Sequence, residues 1–186
     1  MVKMDYEDVV NEFTARRLNS KTNNFIIIGD YPSDIFSSIP NYCTITLPDN
    51  DRVVQAINIV IDMSSVSVQN IFQYVLDRIG LKEQLDFNGA LNLLRFDYYL
   101  KSNDIYCQLI VYNIDELYKQ EQMLLNELFY YYGENYTITV FTKNNLTTYF
   151  LKNGSVLDDR EDYQRVEYIN LSYQRELKKL EKLDNY

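Results

Sequence analysis

Short apolar runs alternate with amphipathic stretches along most of this chain. Phe25-Ile26-Ile27-Ile28, closed by Gly29, is continuously apolar, the pattern of a strand buried on both faces. Ala56 to Asp62, Tyr106 to Tyr112, Tyr136 to Thr142 and the shorter Arg165 to Leu171 repeat the β-rich pattern, and Thr44 to Leu47 is a further short strand closed by Pro48-Asp49-Asn50-Asp51. Helical spacing lies between them. Val68, Ile71, Phe72, Val75, Leu76 and Ile79 recur at intervals of three and four, with Gly80 at the position of a C-terminal cap. Ala90 to Phe96 reads as another helix, and Leu117 to Tyr132 as a long one ended by Gly133, with Met123, Leu124, Leu125, Leu128 and Phe129 on its apolar side. Val9, Val10, Phe13 and Leu18 predict a leading helix over 4–18, and Ser172 caps a last helix carrying Leu177, Leu180 and Leu183.

Alternation of this kind predicts one α/β domain of three layers, with a mainly parallel five-stranded sheet covered on both faces. The expected strands are Phe25–Ile28, Ile57–Ile61, Leu109–Tyr112, Ile138–Phe141 and Val166–Ile169. Residues 1–22 are read as leading helix and linker, 23–171 as sheet core and 172–186 as C-terminal helix. Neither a domain boundary nor an internal repeat interrupts the 186 residues, and with 46% hydrophobic residues and only 5 Gly and 3 Pro the whole chain is expected to fold.

Composition removes several function classes. There is no histidine, so Ser-His and Cys-His nucleophile pairs, the usual zinc triads and the common neutral-pH proton shuttle are excluded. Cys43 and Cys107 are isolated in apolar strand contexts and read as buried reduced thiols. A net charge of −9 opposes broad contact with phosphate backbones, so direct nucleic-acid binding is not expected. No apolar run approaches the ~20 residues of a membrane span, and the first residues lack the apolar stretch of a secretory signal, which predicts a cytoplasmic protein without membrane contact.

The order of strand, turn at Gly29, strand and helix, followed by Leu109-Ile110-Val111-Tyr112-Asn113-Ile114-Asp115-Glu116-Leu117 and a long helix, resembles the core of AAA+ ATPases, above all clamp-loader and origin-recognition proteins. Thr139-Val140-Phe141-Thr142-Lys143-Asn144 stands where the family's sensor strand ends, and Val166 to Ser172 resembles the strand after its arginine-finger loop. The resemblance covers roughly residues 23–183 and implies a P-loop fold; another doubly wound or RecA-like domain is the competing architecture. The chain ends about where the family's lid begins, so lid and collar are expected to be missing.

Chemistry is where the likeness fails. A working phosphate loop uses glycines whose N–H groups wrap the phosphates, a lysine that meets their charge and a hydroxyl on Mg²⁺. The matching stretch here is Gly29-Asp30-Tyr31-Pro32-Ser33-Asp34-Ile35-Phe36, with Ile35 in place of the lysine and Phe36 in place of the hydroxyl residue. Asp30 and Asp34 repel phosphate, and Pro32 lacks an N–H. In the same register the metal-holding carboxylate falls on Tyr112, while Asp115 and Glu116 read as charges at the start of the following helix. Arg160 lies near the arginine-finger loop but reads as an exposed loop residue between acids. Catalytic residues, cofactor sites and metal sites are accordingly expected to be absent.

The remaining candidate surface is aromatic. Tyr130, Tyr131 and Tyr132 close the long helix beside Glu127 and Glu134; the acids are the wrong sign for a nucleic-acid groove and point to a protein interface. The leading expectation is a non-catalytic binding module, a degenerate ATPase-like subunit or adaptor in DNA replication, repair or a mobile element, with protein partners in a nucleic-acid-processing complex. Two alternatives stay open: a small acidic virus- or plasmid-encoded inhibitor of a host nucleic-acid-binding protein, and a nucleotide hydrolase with an unusual loop.

Overall fold

The computed structural model describes residues 2–3, 15–17, 24–28, 33–47, 51–130, 133–143 and 166–170. Its strands are β1 (Val2–Lys3), β2 (Ala15–Arg17), β3 (Asn24–Ile28), β4 (Tyr42–Thr46), β5 (Val53–Asp62), β6 (Tyr106–Tyr112), β7 (Tyr136–Thr142) and β8 (Val166–Asn170). They form one sheet in the order β1-β8-β3-β7-β6-β5-β4-β2. All neighbours from β1 to β5 are parallel, β4 is antiparallel to β5, and β2 runs parallel to β4.

The five strands read from the apolar runs are thus the parallel centre of a mixed sheet that has eight strands among the described residues, not the whole of it. β4 extends it, and β1 and β2 join it from outside the expected 23–171 core. The leading helix expected over 4–18 does not include Ala15–Arg17, which pair with Thr44–Thr46 as a strand. So short an edge segment takes its conformation from its partner strand rather than from its own periodicity. Residues 4–14 and the helix expected over 172–186 lie outside the described residues.

Three helices, α1 (Ile71–Ile79), α2 (Ala90–Ser102) and α3 (Lys119–Tyr130), connect β5 through β6 to β7. Cross-strand register sets Ile59, Leu109 and Ile138 in one row and Ile61, Val111 and Val140 in the next. On these rows pack Phe72, Val75 and Leu76 of α1, Leu93, Phe96 and Leu100 of α2, and Leu125, Leu128 and Phe129 of α3. Phe72 lies at the centre, stacked on Phe96 with ring centroids 4.3 Å apart and tilted against Phe87 at 4.7 Å. Met123, expected on the apolar side of α3, is exposed instead. One helical layer therefore covers this face. On the opposite face the described covering is the 3-10 segment Ser33–Ser38, whose Phe36 packs on Tyr112 and Phe141.

Two glycines close helices in different ways. Gly80 takes φ 79° beyond α1, where a left-handed residue lets its N–H and that of Leu81 reach back to Asp77 and Leu76. Gly133 is needed for space, because a Cβ there would meet the Tyr136 ring at 2.5 Å.

Candidate functional site at the carboxyl edge of the sheet

In open α/β sheets ligands bind outside the carboxyl ends of the strands, near the point where strand order reverses. Here β3 has β7 on one side and β8 on the other, and Ile28 at the end of β3 pairs with Thr142 at the end of β7. The neighbouring strands end in Tyr112 (β6) and Asp62 (β5), which also pair. Ile35, Phe36, Tyr112 and Asp115, which the sequence marks for phosphate or metal chemistry and the structure describes, lie near this edge.

Asp62 is the centre of a small polar network. It accepts from Asn113 Nδ2 at 2.8 Å, from the backbone N–H of Ser64 at 2.9 Å and from Ser64 Oγ at 2.7 Å, and Tyr112 also hydrogen-bonds to it. Partial burial raises its carboxyl, but these donors outweigh that and hold it below the ordinary 3.8. Asn113 sits in the left-handed region at φ 60°, a conformation Asn tolerates, and so turns the chain sharply after β6.

Tyr112 occupies the position expected for a metal-holding carboxylate, and its ring is stacked on Phe36 with centroids 4.0 Å apart and planes 19° from parallel. Phe36 meets Phe141 edge-on at 5.0 Å. Burial, with the nearby Asp62 charge, raises the Tyr112 hydroxyl above its ordinary 10.0. Ile35, which the sequence resemblance sets at the lysine position, is also buried. Residues 29–32 lie outside the described residues, so the loop's remaining backbone is not part of this geometry.

Asp115, expected with Glu116 to charge the start of the following helix, makes a side-chain bond across the sheet edge. Its carboxylate accepts from Thr142 Oγ1 at 2.7 Å and, weakly, from the Lys143 N–H at 3.4 Å, bridging the ends of β6 and β7. Beside this bridge lies a groove of about 680 Å³, lined on one wall by 63–67 and on the other by Asn113, Asp115 to Tyr118 and Glu121, with Lys143 at its edge. Three acids therefore face one base. Among the described residues no group of three or more His, Cys, Asp or Glu is placed to hold a metal ion.

Other sequence candidates fall elsewhere. Tyr130 is the last residue of α3, but its side chain, Tyr131 and Tyr132 are outside what is described, as is Arg160. Cys43 and Cys107 are free and buried; burial, with Cys43 nearby, pushes the Cys107 thiol up to about 12, which leaves it protonated and unreactive near neutral pH. Two polar residues that the sequence did not mark are buried and structural. Asn24 donates to the Phe129 carbonyl at 2.6 Å and accepts from the Ile138 N–H at 3.0 Å, tying the end of α3 to β7. Asp97 on α2 accepts the N–H groups of Glu134 and Asn135 at 3.0 and 2.9 Å. No helix among the described residues is long and apolar enough to cross a membrane.

No protein-family model matches the chain, and no curated protein matches its sequence. Solved structures do. A chain in the structure of Drosophila ORC bound to GC-rich DNA and Cdc6 superposes with a TM-score of 0.52 at 12% identity, over 82% of this chain and 50% of that one. A chain in Drosophila ORC bound to AT-rich DNA and Cdc6 gives 0.50 at 12% identity, over 88% and 50%. The Aeropyrum pernix ORC2 protein, in its ADPNP and ADP complexes, gives 0.46 at 9% identity, over 82% and 42%. The chain thus spans about half the length of the ORC structures it matches. What it shares with these origin-recognition AAA+ proteins is the fold.

Proposed function

We propose that the chain is a non-catalytic binding module, an ATPase-like subunit or adaptor in DNA replication, repair or a mobile element, whose nucleotide chemistry has been replaced by packing. The observation that carries this reading is the Phe36–Tyr112 stack. In P-loop ATPases the loop hydroxyl and the strand-end carboxylate hold Mg²⁺ between them. In the register of the resemblance these two positions are Phe36 and Tyr112, whose stacked rings bring neither a carboxylate nor an aliphatic hydroxyl, and the one phenol is held in its protonated form. The buried Ile35 brings no charge to a phosphate. The Drosophila ORC structures, bound to DNA and Cdc6, support a setting in replication through the shared fold.

A second reading, an acidic inhibitor that occupies a basic surface of a nucleic-acid-binding protein, is favoured by the net charge of −9. Its affinity for a basic protein would fall steeply with salt, whereas an adaptor held by apolar contacts would be affected much less. Calorimetry with Mg²⁺-ATP separates both from a hydrolase. The wild-type chain should give no binding isotherm, and a micromolar dissociation constant would overturn the proposal.

A further inference from the structure

We propose that the solvent face of α2 is a docking surface for an amphipathic helix of a partner protein, one whose apolar stripe is bordered by acidic residues. Three of the seven large hydrophobic side chains most exposed among the described residues lie on this helix: Leu91 at 61%, Leu94 at 55% and Tyr98 at 66%. At about 100° per residue they fall within roughly 60° of the helix circumference and form one continuous stripe. The same geometry places Arg95 along one border of the stripe and Lys101 along the other.

The stripe is held outward. On the opposite side of α2, Leu93, Phe96 and Leu100 are fully packed in the core, with Phe96 stacked on Phe72 and edge-on to Tyr136. The buried Asp97 anchors the helix to the Glu134 and Asn135 N–H groups, so α2 cannot roll to bury Leu91, Leu94 and Tyr98 without tearing out its inner face.

Charge selects the occupant. Asp97 is the only acid between Ala90 and Ser102, and it is buried. The exposed residues of α2 thus include no acid, only apolar side chains, Tyr98, Ser102 and the basic Arg95 and Lys101, in a chain whose net charge is −9. Lys101 is paired with Glu134 at 2.7 Å, while Arg95 is exposed. A second copy of the chain fits poorly, because antiparallel pairing centred between Leu94 and Arg95 brings the two Arg95 side chains together across the two-fold axis. Three anchors on one helical face match a helix laid alongside, in the spacing i, i+3, i+7. This names the class of partner for the binding role proposed above, yet it fails independently, since peptide binding and ATP binding are measured separately.

Three fluorescein-labelled helical peptides test it by anisotropy: one with leucines at i, i+3 and i+7 bordered by Glu, the same peptide bordered by Lys, and a scrambled Glu peptide. The Glu-bordered helix should bind at least about tenfold more tightly than either control. That preference runs against the overall charge of the chain and is therefore diagnostic. Leu94→Ser with Tyr98→Ser should abolish binding at unchanged melting temperature, and Arg95→Glu should reverse the preference toward the Lys-bordered helix; because Arg95→Glu removes no apolar contact, it decides the matter even if the double variant folds poorly. Equal binding of all three peptides, no binding of any, or binding insensitive to both variants overturns the proposal. So does a dimer in sedimentation that dissociates on Leu94→Ser, which would make a second copy the occupant.

Discussion

The ring of Phe36 lies nearly parallel to that of Tyr112, centroids 4.0 Å apart, at the end of a strand whose neighbour presents Asp62 to Tyr112. Strand β6 is thereby closed by an aromatic plug and a hydrogen bond. Because Phe36 is buried and also meets Phe141, Phe36→Ala should cost about 3–5 kcal/mol of stability in urea unfolding. Tyr112→Phe retains the stack and removes only the hydroxyl, so about 0.5–1.5 kcal/mol is expected. A Phe36→Ala variant as stable as wild type would mean that the plug is not packed as described.

Asp97 and Asp62 should bend the pH dependence of stability in opposite directions. Burial raises the Asp97 carboxyl above 3.8, against the pull of the Glu134 and Asn135 N–H groups. Its protonated form is therefore favoured by folding, and stability from this group falls as pH rises from the unfolded value through the folded one. Asp62, held below 3.8, contributes stability above that value and loses it as pH falls through the folded one. Denaturation midpoints of Asp97→Asn and Asp62→Asn between pH 3 and 7 check both signs; wild-type slopes in either variant would contradict the assignment. Asp97→Ala, which strips two N–H groups of their acceptor, should cost about 1–3 kcal/mol, more at low pH than at high.

The two helix-ending glycines should respond to alanine for different reasons. At Gly133 a methyl group meets the Tyr136 ring, so overpacking of about 1–3 kcal/mol is expected. At Gly80 nothing lies within 4 Å, and the cost is only that of φ 79° for an L-residue, about 1–2 kcal/mol. Adding Tyr136→Ala should lessen the penalty at Gly133 and leave Gly80→Ala unchanged, which thermal melts of the two double variants would reveal.

Leu125 and the tyrosines that follow α3 separate core from surface. Leu125→Ala removes a fully buried side chain and should cost about 2–5 kcal/mol. Replacing Tyr131 and Tyr132 together should leave folding nearly intact if they serve a partner. Loss of stability comparable with Leu125→Ala would make them core instead.

Local pattern made much of this fold legible. The apolar runs at Ile57–Ile61, Leu109–Tyr112 and Ile138–Phe141 are strands because both faces of a central parallel strand are buried, and the α1 stripe with Gly80 follows from helical spacing. What escaped is non-local. Ala15–Arg17 becomes a strand only by pairing with Thr44–Thr46, and Asp115 finds Thr142 across 27 residues. Asn24 and Asp97 looked like ordinary polar positions because their partners lie far along the chain. α2 carries apolar residues on its outer side as well as its inner one, which blurred its periodicity and hid its length. At the site, Ile35, Phe36 and Tyr112 were readable one by one as residues that do not match a phosphate loop or a metal carboxylate, but the contact between two of them was not.

Isothermal titration calorimetry with Mg²⁺-ATP, on the wild-type chain and on Ile35→Lys/Phe36→Thr/Tyr112→Asp, tests the central claim most directly. Wild type should show no binding heat at micromolar to submillimolar nucleotide, with or without Mg²⁺. The triple variant is expected to lose stability with the plug, so the wild-type titration carries the decision. A wild-type dissociation constant in the micromolar range, about −8 kcal/mol and dependent on Mg²⁺, would contradict the account, because it would require an ion and a phosphate where Phe36 and Tyr112 are stacked.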